Sequence, residues 1–412
     1  MKQVGRPRLL VLSSTYPRWP GDPEPGFVHE LSRRLVSTFE VTVLCPHAPG
    51  ALTRESMDGV TVVRYRYAPS ALQTLVNEGG IGGNLQKHVW KWLLVPGFLL
   101  SLIWNLFRLL RLQRPDVIHA HWLIPQGLVV ALLKYCGLTM PPYLVTSHGA
   151  DLFSLRAPAL QVLKRFAVAQ AADMTVVSEA MRVEAQRQMP LVTGMHVCPM
   201  GVDLQQRFVM DARVERSANE LLFVGRLVEK KGLRHLVDAL PIILSTKPHV
   251  RLTVVGYGPE ETALREQVRR LHLDSAVRFL GAVEQEALPA LYQRAALFVA
   301  PFVEAASGDQ EGLGLVVIEA IGCGCPAVVS DLPATRDIAL EGWPRPTAGD
   351  PASIASAVLS ILDLPRAQQA RLVEANRARL ATDFDWSRVA NGYAQRLEQL
   401  VMRRACGAGS TL

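Results

Sequence analysis

Short runs of β-branched and other apolar residues alternate with longer amphipathic stretches in the first half of the chain. The runs predict strands, and the stretches between them, such as Val28–Thr38 and Leu123–Lys134, predict helices. This alternation is typical of a parallel sheet with helices on both of its faces. The predicted strands are Leu9–Ser13, Val41–Cys45, Val60–Arg64, Val117–Ala120 and Tyr143–Thr146.

The same alternation starts again after residue 215, so the sequence predicts a second α/β unit. We therefore expect two Rossmann-like, doubly wound domains, over residues 1–205 and 206–383. The terminal segment 384–412 contains an amphipathic helix, with Asp385 as its N-cap, and is expected to pack back on the first domain. The second set of predicted strands is Glu220–Val224, Arg251–Val255, Val277–Leu280, Leu297–Ala300 and Pro326–Val329.

The length of 412 residues suits two domains, and the formal charge of +7 comes from the N-terminal half. Nucleic acid, an anionic membrane or an anionic acceptor could each attract that charge, and an ordinary soluble surface could carry it equally well. The basic residues are dispersed and lack a neighbouring row of aromatic side chains, which argues against nucleic acid. Six cysteines without a pair of Cys-x-x-Cys motifs argue against structural zinc and favour a reducing, cytoplasmic compartment.

One uncharged stretch, Trp92–Phe107, has two interpretations. It is interrupted by Pro96–Gly97 and is too short for a membrane-spanning helix, which needs about 20 apolar residues. It could be a core helix of the first domain. Its tryptophans and basic flanks also suit a helix that lies in a membrane interface, and the sequence leaves both open.

Two glutamates frame a glycine-containing segment, Glu311-Gly-Leu-Gly-Leu-Val-Val-Ile-Glu319. Glycines before a helix let the backbone approach a ligand and leave the first amides free to face it. Two carboxylates would repel phosphate but can accept hydrogen bonds from sugar and ribose hydroxyls. Since an unpaired carboxylate is costly within the apolar run around Glu319, we interpret both glutamates as ligand contacts.

A second motif follows the strand that ends at Val224. Arg226 and Lys231 lie in the loop and the turn after it, where the carboxyl end of a parallel strand places ligand contacts. A guanidinium and an ammonium can together neutralise a diphosphate. Taken alone, the same segment could be a solvated basic loop.

These motifs together resemble glycosyltransferase family 4, whose members have the GT-B fold of two Rossmann-like domains facing across a cleft. The resemblance covers nearly the whole chain. It is carried by the E-x7-E segment and by further motifs, namely Pro25–Val28, Asp116–His121, Thr146–Asp151, Pro199–Asp203, Gly225–Gly232 and Val254–Pro259. One departure lies at Ser330–Asp337, where many relatives carry glycines and a glutamate.

The resemblance implies that the second domain binds a nucleotide-sugar donor. Arg226 and Lys231 match the pair that holds the donor diphosphate and stabilises it as it leaves. Glu319 matches the carboxylate that binds the ribose hydroxyls, and Glu311 the one near the transferred sugar. The base is held by main-chain groups at Phe279 and Leu280. The remaining donor contacts are Gly225, Gly256, Gly312, Leu313, Gly314 and Leu315.

The resemblance assigns the acceptor to the first domain. Gly26 lies in a loop that covers the diphosphate, and His121 is expected to take part in catalysis. His148 and Asp151 match the acceptor side of the cleft. Of the two histidines in one strand, we expect only His121 to face the ligand and His119 to be a core residue.

The resemblance implies transfer with retention of anomeric configuration, without a metal ion or a cofactor beyond the co-substrate. The Asp-x-Asp sequence at Asp383 and Asp385 fits the start of a helix better than a metal site. A glycan or lipid-linked acceptor, in cell-envelope or exopolysaccharide synthesis at the inner face of the membrane, suits the basic first half. A nucleotide-sugar epimerase on the same fold and a non-catalytic sugar-nucleotide-binding protein remain the alternatives.

Overall fold

A computed structural model describes residues 5–22, 26–77, 80–192, 194–338 and 340–408 of the chain. The chain divides into two compact units, each with its own sheet and core. Within the described residues, the first unit comprises residues 5–177, 181–198 and 390–408. The second comprises residues 178–180 and 199–389.

The first unit contains an eight-stranded sheet in the order β3-β4-β2-β1-β5-β6-β7-β8. All neighbours pair in parallel except β3 and β4. The central strands are buried along nearly their whole length, which explains their continuous apolar runs. The strands are β1 (Arg8–Leu12), β2 (Glu40–Pro46), β3 (Arg54–Met57), β4 (Val60–Tyr65), β5 (Val117–His121), β6 (Tyr143–Ser147), β7 (Asp173–Val176) and β8 (Met195–Val197).

Helices connect these strands, as the alternating pattern predicts. They are α1 (Phe27–Leu35), α2 (Gly80–Lys87), α3 (Leu94–Gln113), α4 (Leu128–Tyr135), α5 (Ala150–Phe153), α6 (Pro158–Ala169) and α7 (Glu179–Gln188). The sheet order reverses between β1 and β5. Strands β2 to β4 lie on one side of β1, and strands β5 to β8 lie on its other side. The carboxyl ends of these two strands are where a doubly wound sheet binds its ligand.

The second unit contains a five-stranded, all-parallel sheet in the order β11-β10-β9-β12-β13. Its order reverses between β9 and β12. Its strands are β9 (Glu220–Val224), β10 (Arg251–Val255), β11 (Val277–Gly281), β12 (Leu297–Ala300) and β13 (Ala327–Val329). Its helices are α8 (Leu233–Thr246), α9 (Glu261–Arg270), α10 (Leu288–Arg294), α11 (Leu315–Gly322), α12 (Pro351–Leu362) and α13 (Arg366–Phe384).

The last helix, α14 (Trp386–Ala408), starts in the second unit and continues in the first from Ala390. At its start, Asp385 Oδ1 accepts a hydrogen bond from the Ser387 amide at 2.9 Å, which is the capping geometry that the sequence predicts. Within the first unit, the buried Tyr393 donates its hydroxyl to the Cys198 carbonyl at 2.8 Å. Cys198 immediately follows β8, so α14 from Ala390 onward packs with the core of the first unit.

Helix α3 contains most of the uncharged stretch, and the proline and glycine do not interrupt it. Pro96 lies in the first turn, where a missing amide proton costs nothing. Gly97 is required by packing, since a Cβ there would lie 2.7 Å from the Tyr67 carbonyl oxygen. The helix buries one face in the core of the first unit, through Leu94, Phe98, Leu102, Leu106 and Leu109.

Candidate active site

The predicted donor residues lie at or after the carboxyl ends of the strands of the second sheet, with Arg226 and Lys231 after β9 and Glu311 after β12, the two strands at which the sheet reverses its order. Glycines allow the loop after β9 to pack closely against the neighbouring backbone, where a side chain would clash. A Cβ on Gly256 would lie 1.9 Å from the Gly225 carbonyl oxygen, and a Cβ on Gly232 would lie 1.8 Å from that of Pro301. Both glycines also have positive φ, at 129° and 67°. The backbone after β9 therefore packs directly against the segments that follow β10 and β12.

Lys231 and Glu311 form the centre of this region. The Lys231 Nζ lies 2.7 Å from Glu311 Oε2 and 4.8 Å from the ring centroid of Phe302, which follows β12. Burial raises the pKa of Glu311, but the charges of Lys231 and Lys230 outweigh burial and bring that pKa to about 2. Glu311 is thus a carboxylate throughout the physiological range. The two residues are 80 positions apart in sequence and meet because β9 and β12 are adjacent strands.

Glu319 lies in the second turn of α11. The hydroxyl of Tyr292, a fully buried residue of α10, donates a hydrogen bond to Glu319 Oε2 at 3.0 Å. Burial raises the pKa of Glu319 to about 7, against the opposing effects of this hydrogen bond and of the charges of Lys231 and Arg207. The carboxylate is therefore oriented within the protein and titrates near neutral pH.

The start of α11 is shaped by Gly314, its N-cap, which has a φ of 88°. A Cβ there would come within 3.1 Å of both Phe302 and Ile338. Leu313 is buried, and the Gly312 amide donates a hydrogen bond that lowers the pKa of Glu311. Leu315 is the first helical residue. The Val317 amide of this turn bonds to the Gly314 carbonyl at 2.9 Å, which closes the first turn of α11.

Arg226 follows Gly225 and has no ion-pair partner in the described part of the chain. Its half-buried side chain thus differs from that of Lys231, which already pairs with Glu311. Arg226 therefore adds a second cation after β9, the strand that Lys231 also follows.

Leu280 lies in a β-bulge at the end of β11. Val254 of β10 pairs with Phe279, and Val255 pairs with Gly281, so the ladder skips Leu280. A bulge leaves the extra residue out of the ladder. The ladder therefore leaves Leu280 unpaired with β10, while the guanidinium of Arg265 stacks on the Phe279 ring at 4.4 Å.

In the first unit, the predicted residues gather at the carboxyl ends of β1, β5 and β6. Gly26 is the N-cap of α1, and the next residue, Phe27, packs on the ring of His148 with 4.9 Å between centroids. His148 Nε2 lies 2.8 Å from His121 Nδ1, and the two rings stack. Of the motif Pro25–Val28, Pro25 lies outside the described residues. The structure thus brings Gly26, His121 and His148 together.

The expectation that only one of His119 and His121 faces the ligand is not reflected in their orientation, because both side chains lie on the same face of the sheet. Their ring centroids are 4.0 Å apart, because residues two positions apart in a strand share a face of the sheet. His119 bonds to the Thr146 hydroxyl at 2.8 Å and is a core residue, as expected.

His121 is also fully buried, whereas His148 is partly exposed. Burial lowers the pKa of His148 to about 3 and that of His121 well below its usual value, so both rings are neutral. In this structure His148 keeps part of its surface exposed, and the buried His121 contacts it from the core side.

Asp151, predicted on the acceptor side, is buried and has both oxygens engaged. Its Oδ2 accepts from the Leu123 amide at 2.6 Å, and its Oδ1 accepts from the Ser147 hydroxyl at 2.7 Å. Burial raises its pKa. These contacts tie the loop after β5 to the end of β6, so we treat Asp151 as a residue that holds the histidine loops in place.

Two family models match the chain. One, described as Glycosyltransferase Family 4, matches residues 27–206, and the other, described as Glycosyl transferases group 1, matches residues 218–363. The chain is 30% identical to a glycogen synthase of Mycobacterium tuberculosis, over 94% of each protein. It is 31% identical to a phosphatidyl-myo-inositol mannosyltransferase of Propionibacterium freudenreichii, over 66% of this chain and 67% of that one.

Solved structures share the fold. A sucrose-phosphate synthase from Thermosynechococcus elongatus aligns with a TM-score of 0.78 at 20% identity, over 97% of this chain and 100% of that one. Anabaena HepE in complex with UDP-glucose aligns with a TM-score of 0.68 at 17% identity, over 95% and 99%. Fold and family models together define a glycosyltransferase with the GT-B fold. More narrowly, this chain belongs to glycosyltransferase family 4.

Sequence reasoning missed three residues that support the predicted ones. Tyr292 bonds to Glu319, and Lys230 and Asp309 form an ion pair beside Glu311. Tyr292 had a weak signal, since a buried tyrosine needs a partner for its hydroxyl. Lys230 looked like one more cation in a basic loop, and nothing local connects it to a residue 79 positions later.

Proposed function

We propose that this glycosyltransferase moves a hexosyl group from a UDP- or GDP-sugar to a glycan or lipid-linked acceptor, with retention of anomeric configuration and without a metal ion. The observation that carries the proposal lies at the switch point of the second sheet. Lys231 pairs there with Glu311 at 2.7 Å and its charge acts on Glu319, and Arg226 follows the same strand, β9. Each residue has a chemical task in breaking the bond between a sugar and a diphosphate.

A nucleoside diphosphate is a good leaving group, so the enzyme needs to stabilise charge rather than supply a strong acid. Preorganised cations do this well, and Arg226 and Lys231 are placed to act on the phosphates. Glu311, which remains ionised because its pKa is about 2, can stabilise the positive charge that develops on the transferred sugar. Glu319 can accept hydrogen bonds from ribose hydroxyls.

The donor type is supported by two observations. The skipped residue Leu280 offers main-chain groups to a base, and HepE, which shares the fold, is described in complex with UDP-glucose. Main-chain groups can pair with either uracil or guanine, so the proposal extends to both UDP- and GDP-sugars.

Thermal shift against UDP-, GDP-, ADP- and TDP-sugars, with and without EDTA, tests the donor directly. A ligand that binds only the folded state raises the midpoint by mass action. We expect one base class to raise the midpoint of unfolding and EDTA to leave that shift unchanged. A shift that EDTA abolishes would contradict metal independence, and the lack of any shift would contradict a donor from this panel.

A turnover assay separates the transferase from the two other functions that the sequence leaves open. The donor identified by thermal shift is incubated with and without candidate acceptors, and the configuration of the glycoside formed is read by NMR. Change of the sugar without any acceptor would indicate an epimerase. Binding without turnover across lipid-linked and glycan acceptors would favour a non-catalytic binding protein.

The exposed face of α3 and the turn before it supports contact with a membrane. In the described chain, Val89–Gln113 alone is long and apolar enough to span a bilayer, yet one face of α3 packs in the core of the first unit. A helix buried on one side cannot be surrounded by lipid. We propose that it lies on the bilayer surface through its exposed apolar face, which comprises Val89, Trp90, Trp92, Leu93, Leu100, Trp104 and Leu112.

Exposed basic residues flank this face and favour an anionic bilayer. Lys87 precedes the face. Arg108 and Arg111 lie in the last turns of α3, and Arg114 follows the helix directly. Tryptophan and basic side chains are the combination that anchors a helix in the lipid headgroup region. We propose that this contact is made at the cytoplasmic face of the membrane, with a lipid-linked acceptor for envelope or exopolysaccharide synthesis.

Vesicle flotation tests the membrane contact. We expect the protein to float with vesicles of phosphatidylcholine and phosphatidylglycerol, and the Trp92→Ser/Trp104→Ser variant to lose most of that binding because it removes two exposed anchors. Leu191→Ser is the matched control, since Leu191 is 95% exposed but lies outside α3. Equal flotation of all three proteins would contradict the proposal.

A further inference from the structure

The segment between β12 and the E-x7-E motif is held by three consecutive residues of one turn. Glu229, Lys230 and Lys231 form a single 3-10 turn after β9. Across from this turn runs the small, polar segment Ala305–Gln310, which leads into Glu311. We name this segment the donor loop.

The contacts run in register along the two segments. Glu229 Oε1 accepts a hydrogen bond from the Ala306 amide at 2.9 Å. The Lys230 Nζ lies 3.1 Å from Asp309 Oδ2 and donates to the Gln310 carbonyl at 3.1 Å. Lys231 then reaches Glu311 at 2.7 Å. Each successive residue of the turn therefore holds a later part of the donor loop.

The main chain strengthens this arrangement. The Lys230 carbonyl accepts a hydrogen bond from the Val303 amide at 3.0 Å, just before the donor loop begins. Within the loop, the Ala305 amide donates to the Asp309 carbonyl at 2.9 Å, which closes it into a compact turn. The loop is thus fixed at its start, at its middle and immediately before Glu311.

The Lys230–Asp309 pair is poorly suited to stabilising the whole fold. Both side chains keep more than a fifth of their surface in solvent, and partly exposed ion pairs contribute little to stability. Its location gives it a local effect instead. Asp309 lies two residues before Glu311, so a shift of the loop moves the Glu311 carboxylate, while Lys231 stays on the turn after β9.

We infer that Lys230 and Asp309, supported by Glu229, are positioning residues that set where Glu311 stands relative to the transferred sugar. This inference rests on the proposed function, in which Glu311 acts at the sugar and Lys231 at the diphosphate. A misplacement of about 1 Å in a reacting site can cost about 100-fold in rate. Freeing one end of the loop should cost less, because the Glu229 contact and the main-chain bonds remain.

The test uses the full-length protein with Lys230→Met, Asp309→Asn, the double variant and the exchanged pair Lys230→Asp/Asp309→Lys. With the donor that wild type uses, each single variant is expected to lose about 5- to 20-fold in kcat, and the double variant no more than either single one. The exchanged pair should recover part of the loss. The Kd of the free nucleoside diphosphate should stay within about twofold of wild type, because Glu311 contacts only the sugar.

A merely structural role predicts a different pattern. It would lower the midpoint of unfolding of the variants, and it would weaken the binding of the nucleoside diphosphate and of the nucleotide-sugar to the same extent. Either result would overturn the inference. Wild-type kcat in both single variants would also overturn it. Failure of wild type to bind any nucleotide-sugar would instead refute the proposed function, so the two failures are distinguishable.

Discussion

Replacing Lys231 with alanine is expected to lower kcat/KM for the donor by about 10²- to 10³-fold, the usual effect of removing one preorganised charge contact to a transition state. Two losses combine in this variant. The departing diphosphate loses a cation, and Glu311 loses the ammonium that lies 2.7 Å from it. A partly buried carboxylate without its partner is destabilised, so the pKa of Glu311 should rise from about 2.

Steady-state kinetics with the donor varied measures this effect, and circular dichroism verifies folding. Lys247→Ala is the matched control. Lys247 forms an ion pair of the same length with Asp363, at 2.7 Å, but lies at the end of α8. We expect the control to retain wild-type kinetics. A folded Lys231→Ala variant with kcat/KM within threefold of wild type would show that Lys231 is not a diphosphate contact.

Replacing Glu319 with glutamine should raise KM for the donor by about 10- to 100-fold, the range expected for losing a hydrogen bond to a charged acceptor. Glutamine retains the shape and can still accept a hydrogen bond from Tyr292, so the variant removes charge with little repacking. Glu374→Gln, on an exposed position of α13, is the control. An unchanged KM in the folded variant would remove Glu319 from the donor site.

The pKa of Glu319 adds a pH signature to this prediction. With a pKa of about 7, the carboxyl is mostly neutral at pH 6 and mostly ionised at pH 8. Ribose hydroxyls donate hydrogen bonds preferentially to the ionised carboxylate. The affinity for the nucleotide-sugar should therefore rise about tenfold between pH 6 and pH 8 and level off above pH 8. Glu319→Gln should abolish the rise. Tyr292→Phe removes the hydroxyl that favours the ionised form, and should move the rise to higher pH.

The strands of both sheets could be predicted because most of them are buried on both faces and therefore read as continuous apolar runs. β9, β10 and β12 have the predicted bounds. β3 was missed because it is a polar edge strand, Arg-Glu-Ser-Met, that pairs on one side only. β7 and β8 were also missed, because each is short and contains polar residues, in Asp-Met-Thr-Val and Met-His-Val.

The site was predictable where its chemistry is local in sequence. The E-x7-E spacing and the Arg226–Lys231 segment are such features. Contacts between distant residues are not: the bond of Tyr292 to Glu319 and the pair of Lys230 with Asp309 depend on which strands are neighbours. Burial likewise distinguishes His121, which is fully buried, from His148, which is partly exposed. No sequence pattern predicts which of two histidines that contact each other remains exposed to solvent.

The path of α14 bears on how this enzyme can be recombined with its relatives. Because the chain returns to the first unit at Ala390, residues 199–389 are inserted between two parts of one core rather than appended to it. A chimera with a single junction near residue 199 would pair β8 of one parent with the final helix of another, and would mismatch the contact of Tyr393 with Cys198. Exchanging residues 199–389 as a cassette, with two junctions, keeps that contact within one parent.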